Sequence, residues 1–298
     1  MGRWSIVRDS GVKWWADNAL RLGASLSFYT AFALSPLLVI VIAVAGVAFG
    51  EEQVQRALME EISNLVGPES TEAIQSMLGS ARLSTHGGLK AAIGIATALI
   101  LATGVFVEMQ DGLNTIWRSP IQHGSGLWRF LRDRVLSFLV IIGMGFLLLV
   151  SLVIDALLGA FGAYLTHLLT TSEAIMYGLN LMISLIVVTV PFALMFRLLP
   201  RANVAWNEVW IGAGVTAGLF TIGKFLIGVY LGTAGVTSAY GAASSLMVIL
   251  LWVYYSSLIF YFGAEFTYVY AEKSRANHGI RNSERLRTPF QPDTKESS

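Results

Sequence analysis

Cysteine is absent from this chain, which excludes disulfides, thiolate metal sites and cysteine nucleophiles and leaves the redox compartment open. Charge is scarce as well: 13% of the residues are Asp, Glu, Lys or Arg, against roughly 25% in an average globular domain. The four histidines, His86, His123, His167 and His278, are scattered and share no metal-ligand spacing or H-E-x-x-H pattern. No G-x-S-x-G elbow occurs to expose a serine nucleophile. Arginines are present, but no RNA-binding module or stacking pattern accompanies them. The sequence therefore carries no metal site, no cofactor motif and no expected nucleic-acid partner.

What fills the chain is apolar residues, 55% of the total, with a positive mean hydropathy of +0.63. They gather in six stretches, approximately 22–50, 89–112, 135–162, 175–198, 209–231 and 243–271, each near or above the ~20 residues a helix needs to cross a bilayer core. The first is too long for a cleavable signal and reads as a retained helix. Basic residues crowd the N-terminus (Arg3, Arg8, Lys13, Arg21), the segment 118–134, the turn at Arg197 and Arg201, and the tail. The alternate loops differ: 51–88 holds Arg56 and Arg82 against six glutamates, and 163–174 and 232–242 hold no basic residue. By the positive-inside rule both termini are cytoplasmic. The expected fold is all-α: a polytopic membrane protein of six transmembrane helices with short amphipathic helices in the outer loop and at the N-terminus.

Polar residues inside the spans are the candidate functional groups, because a charge at a helix centre costs about 2.5–3.5 kcal/mol on insertion scales. GLFTIGKF, residues 218–225, holds most of a phosphate-binding loop, but Phe225 follows Lys224 where magnesium binding needs Ser or Thr. Lys224 is instead an intramembrane lysine, and Asp155 in the third span lies at a similar depth. A structural ion pair, a substrate or ion site, and snorkelling to the outer surface are the open readings. In the sixth span Tyr254, Ser257, Tyr261, Glu265, Tyr268 and Glu272 recur at three- and four-residue steps, within an arc of about 80°. Such a stripe faces protein or a water-filled path, although Tyr268 also suits an interfacial belt. Glu108, Asp111, Asn114, Thr115 and Arg118 share one side at the inner end of the second span. With Arg134 and Arg197 they form either a cytoplasmic gate or a solvated helix end.

Other features read as architecture. Pro36 and Pro191 interrupt apolar stretches and suggest kinks or discontinuities. Gly46/Gly50, Gly214/Gly218 and Gly228/Gly232 are small-xxx-small packing pairs. Trp4, Val7, Gly11 and Trp14 among Arg3, Arg8 and Lys13 suggest an interfacial helix. The outer loop reads as two amphipathic helices broken at Gly67-Pro68, the first lined by Val54, Leu58, Ile62 and Leu65, the second by Ile74, Met77 and Leu78. The expected organisation is an interfacial helix over 1–21, a six-helix membrane domain over 22–271, and a disordered polar tail over 272–298.

From about Ala19 to Ala271 the chain resembles the YihY/virulence factor BrkB family of bacterial membrane proteins, long labelled ribonuclease BN. SLSFYTAFALSPLL, MQDGLNTIWRSP, FRLLPRANVAWNEVWIGA, KFLIGVYLG, SAYGAASSLMVILLWVYYSS and FGAEFTYVYA carry the resemblance. It implies a six-helix protein of the cytoplasmic membrane with roles in envelope integrity, serum resistance or lipids, and Lys224 and Glu265 match residue types its members tend to carry. The function expected is a transporter or lipid-handling protein with membrane lipids, anionic or lipid-like, as partners. A non-transporting envelope scaffold is the alternative, and the ribonuclease label is a distant third with no catalytic motif behind it.

Overall fold

The computed structural model describes residues 3–83, 103–119, 173–202, 204–233 and 244–287, and among them the regular structure is entirely helical. The chain opens with α1 (Arg3–Ala16), α2 (Ala19–Phe49), α3 (Glu51–Val66) and α4 (Pro68–Leu83). There follow α5 (103–116), α6 (Glu173–Leu198), α7 (Trp206–Thr233) and α8 (Ser244–Arg287). Among the described residues three helices are long and apolar enough to cross a membrane, over Ala19–Val47, Trp206–Ile227 and Ser244–Ala276. The expected third span, with Asp155, and Arg134 lie outside the described residues, as does most of the second span. α2 runs through Pro36 and α6 through Pro191 as continuous helix, so neither proline makes the break its sequence position suggests. α8 continues to Arg287, 44 residues in all, well into the segment that composition marks as polar tail.

Residue pairings give the helix directions. Thr267 of α8 sits over Gly212 of α7, Thr216 over Gly263, and Tyr255 and Ile259 over Gly223, so α7 and α8 run antiparallel. Phe192 of α6 meets Phe220 of α7 at 5.7 Å, and with only seven residues between the two helices they form an antiparallel hairpin. Leu258 and Tyr254 of α8 lie on Gly23 of α2, while Ile249 packs with Leu38 and Ile42. α2 and α8 are therefore antiparallel too, and α8 is the shared wall of the bundle.

Two apolar clusters follow from this layout. The larger joins α2, α5, α6, α7 and α8 around Leu113, Phe196, Phe260 and Tyr261. Its aromatic rings stand at 5.3 Å (Phe196–Phe260) and 5.3 Å (Phe260–Tyr261), contacts each worth roughly 0.5–1.5 kcal/mol beyond burial. The smaller lies at the opposite end, where Val54 and Met59 of α3 and Ile74 and Leu78 of α4 cover Leu38, Ile42 and Ala45 of α2. The charged residues Glu51, Glu52, Glu60 and Glu61 stay exposed on α3. Glu51 and Glu52 occupy the first turn, where the helix dipole favours negative charge.

Candidate functional site

At the α1 end of the bundle the helices bury the charged side chains Asp17, Glu208 and Glu265. Glu265 of α8 is 0% exposed, and among the described residues neither of its carboxylate oxygens has a hydrogen-bond partner. It arrives there because Ser257, Tyr261 and Glu265 repeat at four-residue steps on the helix face turned into the bundle, and all three are buried. The carboxyl it faces is that of Asp17, which the turn between α1 and α2 carries inward. Asn18, in the left-handed region at φ 54° and ψ 44°, breaks the helix between α1 and α2, and Asp17 beside it is buried.

Arg118 closes the cluster. Its guanidinium Nη1 donates to Asp17 Oδ1 at 2.9 Å, while Asp17 Oδ2 has no partner among the described residues. Arg118 ends α5 in the left-handed region at φ 50°. Its N–H donates to the Thr115 carbonyl and the Ser119 N–H to the Asn114 carbonyl, the pair of bonds that defines a Schellman motif, where glycine is the usual residue. Burial alone would lower the Arg118 pKa, but the Asp17 carboxylate outweighs it and the net shift is upward. Glu265 and Tyr268 act on the same guanidinium through space.

Around this centre stand three polar groups on aromatic rings. The Tyr261 hydroxyl is buried and has no partner among the described residues, and its ring occupies the space beside Gly112, where a Cβ would lie 2.6 Å from the hydroxyl. The Trp117 indole N–H is likewise buried and without a partner among the described residues, with its ring edge-on to Tyr268 at 5.5 Å. Lys13 of α1 rests its ammonium 4.4 Å above the Tyr268 ring and donates to Glu272 at 2.7 Å. Further along α8, Lys273 donates to Asp9 at 2.7 Å and to Ser5 at 3.1 Å, and Arg275 to buried Glu208 at 3.2 Å. The Lys273 hydrogen bond holds the Asp9 carboxyl below the usual carboxylate range. These ion pairs fan out from one turn of α8, residues 272–275, and tie it to α1 and α7.

The sequence-selected residues divide accordingly. In the α8 stripe Ser257, Tyr261 and Glu265 are buried, and Tyr254 and Tyr268 half-buried. Lys224 is on α7 but exposed, beside exposed Ile222, Phe225 and Leu226, and Asp155 lies outside the described residues. Of the gate set, Glu108 is half-buried and Asp111 exposed. Asn114 accepts from the Arg201 N–H at 2.9 Å. Arg197 donates to the Val204 carbonyl and lies 5.7 Å from the Trp206 ring. Arg118 pairs with Asp17 rather than with an acid of its own helix, and Arg134 lies outside the described residues. Asp17, Trp117 and Glu208 were not picked out as site residues from the sequence, and Lys13 was read only as a basic residue of the interfacial helix. For Asp17 the available signal was a lone acid between a basic segment and the first apolar stretch.

With this geometry in place the comparisons with known proteins are specific. Residues 11–287 match the virulence factor BrkB family. A UPF0761 membrane protein of Rhodospirillum centenum is 26% identical over 267 residues, covering 88% of this chain and 56% of the relative. One from Ralstonia nicotianae is 28% identical over 258 residues, covering 83% and 54%. One from Pseudomonas aeruginosa is 27% identical over 259 residues, covering 83% and 58%. The chain spans a little over half the length of these relatives. No solved structure matches.

Proposed function

The chain belongs to the virulence factor BrkB family of membrane proteins, and on that premise we propose that it is a transporter or lipid-handling protein of the bacterial cytoplasmic membrane. Its polar path follows the Tyr254–Tyr268 face of α8. The basic residues of α1 and of the turn after α6 favour an arrangement with six crossings and both termini cytoplasmic, which makes the Glu265 cluster the inner end of the path. The observation that carries the reading is Glu265, fully buried in a membrane-length helix with both carboxylate oxygens unpartnered among the described residues. An ionisable residue at such a place is expensive and marks a pathway before it marks packing. The reading needs no cofactor, no nucleic acid and no catalytic step, and its partners are membrane lipids, anionic or lipid-like.

A second reading, a non-transporting envelope scaffold, draws support from the interlocked glycines and threonines of α7 and α8, which resist sliding of one helix past the other. Native mass spectrometry of the purified protein separates the two readings. Wild type should hold a defined lipid or anionic metabolite that correctly inserted Glu265→Gln loses. Lys224→Met, at an exposed position, should retain it. The same generic lipid on all three proteins overturns the path and leaves the scaffold.

A further inference from the structure

We propose that Asp17 and Glu265 together form a binding site for one exchangeable proton, held between their carboxyl groups at the inner end of the α8 path. This deepens the path reading by naming the ion, and it rests on that reading for its role, though not for its geometry. Two ionised carboxylates have acceptors only and cannot hydrogen-bond to each other; one proton turns the same contact into a donor and an acceptor. Glu265 Oε1, Glu265 Oε2 and Asp17 Oδ2 are all buried, and none has a donor among the described residues. A single proton supplies one, and the contact with Asp17 then needs no further group.

Charge balance points the same way. Arg118 is the cation bonded to Asp17. With both acids ionised the group of Asp17, Glu265 and Arg118 carries a net charge of minus one, and with one proton added it is neutral. Neutral groups are far cheaper to hold out of water, and two like charges sharing a site resist joint ionisation. The other groups facing the pair do not offset the excess. Lys13 is engaged by Glu272 at 2.7 Å and the Tyr268 ring. α5 adds Glu108 and Asp111, acids that act on Tyr261, and α7 brings Gly212 and Thr216 against the same turns of α8.

The site also sits where a proton would be felt. Asp17 lies beside the left-handed Asn18 that joins α1 to α2, and Arg118 is itself left-handed at the end of α5. Loss of the proton sets two carboxylates against each other across α8, α1 and α5. Proton binding is in this way coupled to how tightly three elements close on the path.

Infrared difference spectroscopy of the full chain in lipid nanodiscs, titrated with acid and base in light and heavy water, tests this. Wild type at neutral pH should show the C=O absorption of a protonated carboxyl, shifting on deuteration, and Glu265→Gln and Asp17→Asn should each lose it. Absence of that band from wild type, or its survival in both variants, overturns the proposal even if one variant fails to insert. The path reading fails separately: a band lost in both variants while all proteins carry the same generic lipid leaves the proton site standing without a path. A band untouched by either variant, with bound lipid lost from Glu265→Gln, leaves the path without this proton site.

Discussion

Arg118 shows how one residue can serve two opposed demands. Its backbone is in the left-handed region, which costs an ordinary L-residue roughly 1–2 kcal/mol and glycine almost nothing. Its side chain neutralises a buried Asp17, and leaving a buried charge unpaired costs about 3–5 kcal/mol. The guanidinium is 52% exposed, which reduces the second figure by solvent screening. The balance still favours arginine. Arg118→Gly should therefore lower stability by about 1–2 kcal/mol despite its easier backbone, while Arg118→Lys, which keeps strain and charge, should stay within about 1 kcal/mol of wild type. Urea-induced unfolding in detergent micelles checks both. A glycine variant as stable as wild type would mean that the backbone, not the ion pair, decides this position.

At the scale of elements, α7 and α8 are fitted to each other by the same four-residue device used twice. Thr216 donates back to the Gly212 carbonyl at 2.7 Å, and Thr267 to the Gly263 carbonyl at 2.7 Å. Each threonine then lies over the other helix's glycine, where no Cβ fits. Within a bilayer such close packing is a principal source of helix association. Gly212→Ala and Gly263→Ala should each destabilise by about 1–3 kcal/mol through overpacking, and Thr267→Ala should recover part of the first loss. Gly214, with nothing within 4 Å among the described residues, should accept alanine with no loss, since alanine is the better helix former by about 1 kcal/mol. Thermal unfolding of the four variants in one detergent gives the comparison. Spacing made part of this legible. The three- and four-residue rhythm of Ser257, Tyr261 and Glu265 picked out a face that is buried, and Gly67 does divide α3 from α4. The glycine pairs were legible only by type: Gly214/Gly218 has the motif, but the close contact belongs to Gly212 and Gly263, because register against a partner helix is not written in either helix alone. Asp17 was hidden for a similar reason. It sits at the helix break beside Asn18 and meets Arg118 and Glu265, both remote in sequence, and no local pattern announces such a meeting.

For the whole molecule the question is what α1 rests on, because its two faces are inverted relative to a helix on a water-soluble protein. The face toward the bundle is polar: Asp9 and Lys13 pair with Lys273 and Glu272 of α8, and Trp14 turns inward to donate to the Leu258 carbonyl at 3.3 Å. The face turned away carries large apolar side chains, Trp4 79%, Val12 64% and Trp15 69% exposed, with exposed Arg8 among them. Trp14 thus leaves the outer stripe in which spacing had placed it, and Trp15 takes its place. Indole rings on an exposed helix at the end of a membrane bundle belong at the headgroup level of a bilayer. The nearby charges are largely paired within the protein, Arg8 with Asp9 at 3.2 Å and Lys13 with Glu272 at 2.7 Å. Anionic lipid should therefore add less than the ~1 kcal/mol expected for each free basic residue near the surface, and apolar contact should dominate. In nanodiscs, α1 amides should exchange with heavy water at least about tenfold faster in Trp4→Ala/Trp15→Ala than in wild type, a change that ~1.4 kcal/mol of lost burial suffices to produce. Replacing zwitterionic by anionic lipid should shift wild-type exchange by less than that. Equal protection in wild type and the double variant would show that α1 is held by its ion pairs to α8 alone, and Lys273→Ala would then release it where the tryptophan changes had not.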